Sequence, residues 1–272
     1  MVSLTAIGRT RARGGGAAPA SGRRVAAAVA VLSLATVLAA PAASASPAPT
    51  RSPVLVSLSF DDARVSQAMV EPLLAARHLR ATFFVITRSV DTGNDPESLT
   101  WAQLHRLARD GHEIAGHTRT HPSLPTLSPD RQRDEICGSR SDLVAHGFHP
   151  TSFAYPYGDF DATTERITRQ CGFANGRAAR GGTEAVPPAD RYAVKTLPNV
   201  TTADTVAHLE SYLSGARPGE WLNYVFHDVG DGPGDGDAYR ISARNFTAFV
   251  DWLARQRRTG RVVVRTIGDV VR

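Results

Sequence analysis

From residue 54 to the C-terminus, short apolar runs alternate with amphipathic stretches, and no other feature restricts the fold of this chain as strongly. Residues 54–60 and 81–86 read as buried strands, with 65–78 as the helix between them. Residues 99–110 form a helix stopped by Gly111, 113–116 a strand, and 128–146 a helix opened by Ser128-Pro129 and closed by Gly147. A strand at 152–155, a helix at 162–171, a strand at 173–175 and a helix at 201–213 continue the pattern. A strand at 221–226, a helix at 242–257 with Ser242 as N-cap, and a strand at 262–264 complete it. About seven alternations of this kind, with no internal repeat, admit an α/β barrel or a doubly wound parallel sheet. Residues 176–200 and 228–240 are rich in Gly and Pro and read as loops.

The first 45 residues belong to no such pattern. Arg9, Arg11, Arg13, Arg23 and Arg24 make a basic start, residues 25–40 are an Ala/Val/Leu run too short to favour a membrane span, and Ala43-Ser44-Ala45 is a small-residue cleavage site. The expectation is a signal peptide over 1–45, a Pro/Ser-rich tether over 46–53, and one catalytic domain over 54–272 in an exported protein, secreted or associated with the cell wall. No membrane span is expected to remain after cleavage. The leader holds five of the 31 Lys and Arg and none of the 26 Asp and Glu, so the remainder is formally neutral. The pI of about 9.7 therefore reflects the leader, and net charge argues for no nucleic-acid partner. Cys137 and Cys171 are the only cysteines. Export favours a disulfide between them, with two buried free thiols as the alternative.

The chemistry-bearing residues fall at the C-terminal ends of predicted strands. Asp61-Asp62 follows the first, His117-Thr118-Arg119-Thr120-His121 the third, Tyr155-Pro156-Tyr157-Gly158 the fourth, and His227 the strand ending at Phe226. In parallel α/β folds that edge is where separate segments converge on one site. Two imidazoles with a carboxylate make a divalent-metal set, and a second carboxylate beside the first is free for proton transfer. Taken singly, each motif has a plainer explanation. An Asp-Asp pair caps helices and turns, and the histidine spacing would suit one helical turn, although Pro122 ends that turn. The absence of a glutamate after His117 argues against a zincin-type protease. The acidic stretch from Asp228 to Asp237 lacks EF-hand spacing and reads as a rim beside His227.

Four segments, Ser59-Phe60-Asp61-Asp62, Gly116-His117-Thr118-Arg119-Thr120-His121, Phe153-Ala154-Tyr155-Pro156-Tyr157-Gly158 and Val225-Phe226-His227-Asp228, resemble in order and spacing the motifs of the polysaccharide deacetylases with the NodB homology domain, carbohydrate esterase family 4. The resemblance spans roughly residues 54–270. It implies an α/β fold of the NodB-like kind, a distorted (β/α) barrel of about seven parallel strands. It also implies one divalent metal, zinc with cobalt or manganese tolerated, held by Asp62, His117 and His121. Asp61 would be the general base, His227 the general acid, and the backbone N–H of Tyr157 an oxyanion donor. Tyr155, Pro156 and Trp221 are the substrate-side candidates, although an aromatic at a strand start such as Trp221 is equally at home in a core.

The implied activity is removal of N-acetyl groups from an aminosugar polymer or oligomer, chitin-, peptidoglycan- or exopolysaccharide-like, by a monomer. The rival readings are an O-acetyl esterase on xylan-like glycans and a non-catalytic glycan-binding relative. One departure stands out. The family's arginine, which pairs with the catalytic aspartate, is replaced by Ala154, and Arg177, Arg180 and Lys195 are the candidates for the missing cation. Val225 also stands where the family usually has leucine.

Overall fold

The computed structural model describes residues 52–91, 97–231 and 238–271. The predicted leader, the tether up to residue 51, residues 92–96 and part of the loop read at 228–240 lie outside the described residues. The chain divides into Met1–Ala48 and a second compact unit, Pro49–Arg272. Among the described residues no helix is long and apolar enough to cross a membrane.

The elements of the second unit are β1 (Val54–Phe60), α1 (Val70–Ala75), β2 (Thr82–Val85), α2 (Trp101–Arg109), β3 (Glu113–Gly116), α3 (Pro129–Ala145), β4 (Ser152–Ala154) and α4 (Ala162–Gln170). They continue as β5 (Asn175–Gly181), β6 (Val194–Thr196), α5 (Val206–Gly215), β7 (Trp221–Phe226), the two-residue β8 (Asp228–Val229) and β9 (Arg240–Ile241), α6 (Ala243–Arg258), β10 (Val262–Val264) and α7 (Ile267–Val270). Strand β1 is the hub. One edge pairs with β7 from Leu55 to Phe60, and the other is shared between β10 at its start and β2 at its end. From β2 the sheet runs β3, β4, β5, β6, every pair parallel. Beyond β6 the chain curls back to β7, where Leu197 N–H donates to Asn223 O at 3.0 Å and Val200 N–H to Val225 O at 2.9 Å. Seven parallel strands thus curl into the distorted barrel, and β10 splints its base.

Strand alternation sorts the side chains into two layers. Val56, Leu58 and Phe60 of β1 join Leu222, Tyr224 and Phe226 of β7 in the large core beneath the helices, where Phe246 and Phe249 of α6 pack. The other parity faces the barrel interior, where Phe84, Ala115, Ala154, Val194 and Trp221 meet Ile267 and Val271. Continuing that inner parity one step past β1, β2, β3 and β7 reaches Asp61, Ile86, His117 and His227, which border one cleft with Ala179 of β5.

Four readings from sequence need correction. Residues 65–78 are not one helix: a 3-10 turn over Val65–Met69 precedes α1, because Pro72 has no N–H to bond a preceding turn. The strand read at 173–175 lies instead at Asn175–Gly181, since Phe173 turns into a core cluster after Gly172 ends α4. Residues 176–200 are accordingly not simply a loop, for they hold most of β5 and all of β6. The helix read at 201–213 begins only at Val206, capped by Thr205.

Candidate active site

The end of β1 turns sharply at Asp62 and Ala63, with φ of 69° and 54°, and Thr118, His121 and Tyr157 also take positive φ. These make five of the seven non-glycine residues with positive φ among the described residues, so backbone strain concentrates at one place. Its partners over-determine it. His121 N–H donates to Thr118 Oγ1 at 2.9 Å, and the buried Glu135 carboxylate of α3 accepts from Arg119 N–H, Thr120 N–H and Thr120 Oγ1 at 2.8, 2.9 and 2.7 Å. The Arg119 guanidinium forks onto Asp142 at 2.9 and 3.0 Å, over Gly138, where a Cβ would collide with it. A disulfide between Cys137 and Cys171 joins α3 to the end of α4 beside this clamp.

The loop brings Asp62, His117 and His121 together. His117 Nδ1 lies 2.8 Å from Ala154 O, an acceptor, so Nδ1 carries the proton and Nε2 offers its lone pair inward. Asp62 Oδ1 is 3.5 Å from His117 Nε2 and 3.6 Å from His121 Nε2, and the two imidazole nitrogens are 3.2 Å apart. Tetrahedral bonds of about 2.0–2.1 Å require donors separated by about 3.3–3.4 Å, so the triangle fits one ion. Asp62 Oδ1 is buried without a hydrogen-bond partner, as expected of an atom built to meet a cation. Burial, and then His117, push His121 down to about 4 against the pull of Asp62, which keeps the ring neutral at neutral pH. Burial alone would raise the Asp62 carboxyl, but the contact with His117 and the nearby His227 and His121 outweigh it and hold it below the usual carboxylate range.

Asp61 is set apart from this triangle. Arg177 Nη2 lies 2.6 Å from both of its oxygens, and Arg177 is fully buried, its guanidinium 4.7 Å over the Phe84 ring. Arg177 sits on β5 directly opposite Ala154 of β4. The cation missing at Ala154 is therefore supplied from the same level of the neighbouring strand. Arg180 and Lys195 are exposed and serve no such role. His227 Nε2 stands 3.9 Å from Asp61 Oδ2, with Tyr239 5.2 Å from its ring. A residue that sequence reasoning missed joins the two backbones: buried Gln67 donates from Nε2 to Asp61 O at 2.6 Å and to His227 O at 2.9 Å.

These groups line a cleft of about 450 Å³ together with Tyr155, Tyr157, Ala179 and Asn199. Tyr157 is 63% exposed at the mouth, its ring edge-on to His121 at 4.7 Å. Gly158 beside it has φ of 71° and abuts Ala179 N so closely that a Cβ would clash. Tyr155 only borders the cleft, its hydroxyl donating to Tyr192 O at 2.9 Å, and Pro156 is buried behind the wall. Trp221 does not reach the cleft. It lies at the start of β7, fully buried, its Nε1 donating to Ser57 Oγ at 3.0 Å, so the substrate-side reading fails for it.

Fold and site define a class: a parallel α/β barrel with an Asp-His-His donor set, a second carboxylate and a further histidine at the C-terminal edge of its sheet. Residues 48–176 match the sequence model described as polysaccharide deacetylase. A chitin deacetylase of Colletotrichum lindemuthianum is 31% identical over 115 residues, which are 40% of this chain and 44% of that protein. A peptidoglycan-N-acetylglucosamine deacetylase of Bacillus cereus is 30% identical over 107 residues, 38% of this chain and 36% of that protein. The chain thus spans less than half the length of these relatives. The structure of a family 4 acetyl xylan esterase from Clostridium thermocellum, in complex with a cobalt ion, matches at a TM-score of 0.56 and 20% identity, covering 79% of this chain and 89% of that one. At that identity the match establishes the fold.

Proposed function

We propose that the protein is a metal-dependent deacetylase that hydrolyses N-acetyl groups on an aminosugar polymer or oligomer. The observation that carries this is the division of the Asp61-Asp62 pair: Asp62 closes a donor triangle with His117 and His121, while Asp61 is withheld from it by Arg177. A divalent ion held by that triangle, zinc in the first instance given its N and O donors, supplies a Lewis acid for an otherwise unreactive amide. Asp61, fixed by Arg177, takes the proton of the attacking water. His227, beside Asp61, delivers a proton to the departing nitrogen, without which the amine is a poor leaving group. The Tyr157 N–H, in its positive-φ turn at the mouth, donates to the developing oxyanion.

The chitin and peptidoglycan deacetylases among the relatives support an N-acetylated glycan as substrate. The basic, small-residue-terminated leader and the Cys137–Cys171 disulfide support export to an oxidising compartment. Acetate release by zinc-, cobalt- or manganese-loaded protein from N-acetylglucosamine oligomers, peptidoglycan and acetylxylan tests the reading. Release from an N-acetylated glycan supports it. Release from acetylxylan alone would make the protein an O-acetyl esterase, and glycan binding with no acetate from any of them would overturn hydrolysis.

A further inference from the structure

A second large cleft, of about 630 Å³, lies at the opposite end of the sheet. Its walls are segments that enter strands, namely Leu79 and Arg80 before β2, Asp110 before β3 and Gly260 before β10, together with β10 itself and Arg265. Among the described residues β10 pairs only with β1, and its three valines line the cleft with Ala75 and Leu79. An adjoining depression of about 360 Å³ shares His78 and Arg257 with the cleft, which makes the two one track.

Six arginines line this track, Arg77, Arg80, Arg255, Arg257, Arg258 and Arg265, against the three carboxylates Asp110, Asp251 and Asp269. Arg77 and Asp251 are committed to each other at 2.8 Å, and the other five arginines are exposed. Residues 46–272 are formally neutral, so this is a segregation of charge to one end of the barrel and no reflection of a basic chain.

We propose that the track is a binding site for an anionic polymer, whose repeating carboxylate or phosphate groups pair with the arginines. Guanidinium forks match planar and tetrahedral oxyanions, and a run of them across two joined depressions suits a chain better than a single ion. His78 is the one ring that lines either cavity, no Phe, Tyr or Trp offers a run of platforms for successive bases, and none of the large exposed hydrophobic residues lies on the track to enter a lipid surface. The catalytic mouth is at the other end of the strands. The protein can therefore rest on an anionic matrix while its mouth stays open to a glycan.

Binding of the full chain to polygalacturonate and to sodium polyphosphate, measured by isothermal titration from low to physiological salt, tests this. Both are expected to bind at low salt and to weaken as salt rises, and the polymer still held at about 0.15 M identifies carboxylate or phosphate as the preferred group. Arg80→Ala/Arg257→Ala/Arg265→Ala should weaken binding by at least about tenfold, and Asp110→Asn should tighten it. Acetate release should be unchanged, since none of these residues belongs to the catalytic cleft, and circular dichroism would report any loss of fold. Absence of binding to both polymers at low salt, equal binding by the triple variant, or tighter binding of mixed-sequence single-stranded DNA would overturn the proposal.

Discussion

Strand β3 carries a buried histidine at each end, and the two have opposite chemistry. His112 precedes the strand at 5% exposure and His117 follows it at 2%. Ala81 N–H donates to His112 Nδ1 at 3.0 Å, which leaves the ring proton on Nε2, whereas His117 Nδ1 donates to Ala154 O at 2.8 Å and leaves Nε2 bare. The Nε2 of His112 is buried without a partner, and the ring sits edge-on to Phe83 at 5.4 Å. The Nε2 of His117 faces Asp62 and His121. One plugs the bottom of the barrel and the other offers a lone pair at the top. The lesson is that a histidine's role comes from which sheet edge it occupies. At the C-terminal edge of the parallel strands other segments bring Asp62 and His121 to it as possible metal ligands, and at the N-terminal edge His112 meets one backbone N–H and the Phe83 ring.

The sharpest way to break this contrast is to delete each ring. His117→Ala should take bound metal from one equivalent to none and abolish acetate release, whereas His112→Ala should keep both in whatever fraction folds; metal content by mass spectrometry checks this. Asp61→Asn should keep the metal yet lower the rate by about 10²- to 10⁴-fold, and retention of most of the rate would remove the base from the mechanism.

Arg177 comes next. Truncation to Ala leaves the buried Asp61 carboxylate without its counterion, at a cost of about 3–5 kcal/mol. Urea denaturation should show that loss, with metal affinity little altered because the donor triangle is untouched. An unchanged midpoint would mean that another cation serves Asp61.

His112 predicts a pH dependence. Burial pushes it down to about 4, opposed by Asp110 and assisted by Arg80, while the unfolded ring titrates near 6.5. As pH falls through that window the unfolded chain takes up a proton that the folded ring refuses, so stability present above about 6.5 is lost towards 4, by up to about 3 kcal/mol. His121 shifts in the same direction, so the measurement belongs in a His121→Ala background. There, replacing His112 with Asn should flatten the stability profile between pH 6.5 and 4, and an identical slope with and without His112 would refute the assignment.

The donors were legible in the sequence because they are local. His117 and His121 share one loop, Asp61 and Asp62 are adjacent, and inner-face parity carries Asp61 and His117 to the same edge, while positive-φ turns bring in Asp62 and His121. Arg177 was legible only as one of three candidates. An arginine inside a strand argues against a buried strand until its counterion, 116 positions earlier, is placed beside it, which is also why β5 was misplaced. Gln67 gave no signal at all, being one glutamine in a segment read as an ordinary helix, yet it ties the Asp61 and His227 backbones together. Trp221 misled because its strand was right and its level was wrong: at the start of β7 an inward side chain fills the barrel floor, five residues short of Phe226 and the mouth.

Glu135 supplies the smallest effect and separates the two histidines in kind. His112 is held by its packing and by one hydrogen bond from the backbone, Ala81 N–H, so no polar side chain sets its position. His117 and His121 stand on a loop whose positive-φ residues would relax if released, and the 3%-exposed Glu135 carboxylate takes three of that loop's hydrogens. Glu135→Ala should therefore weaken metal binding by about 10- to 100-fold, the range for groups that orient ligands without touching the ion. Glu135→Gln keeps the shape and one acceptor oxygen, and should recover part of the loss. Cobalt titration followed by visible absorption reads both the affinity and the coordination of the ion, while far-UV circular dichroism confirms that α3 remains folded. If the two variants bound cobalt as tightly as the parent, the loop would be holding its own shape, and the clamp from α3 would be packing and nothing more.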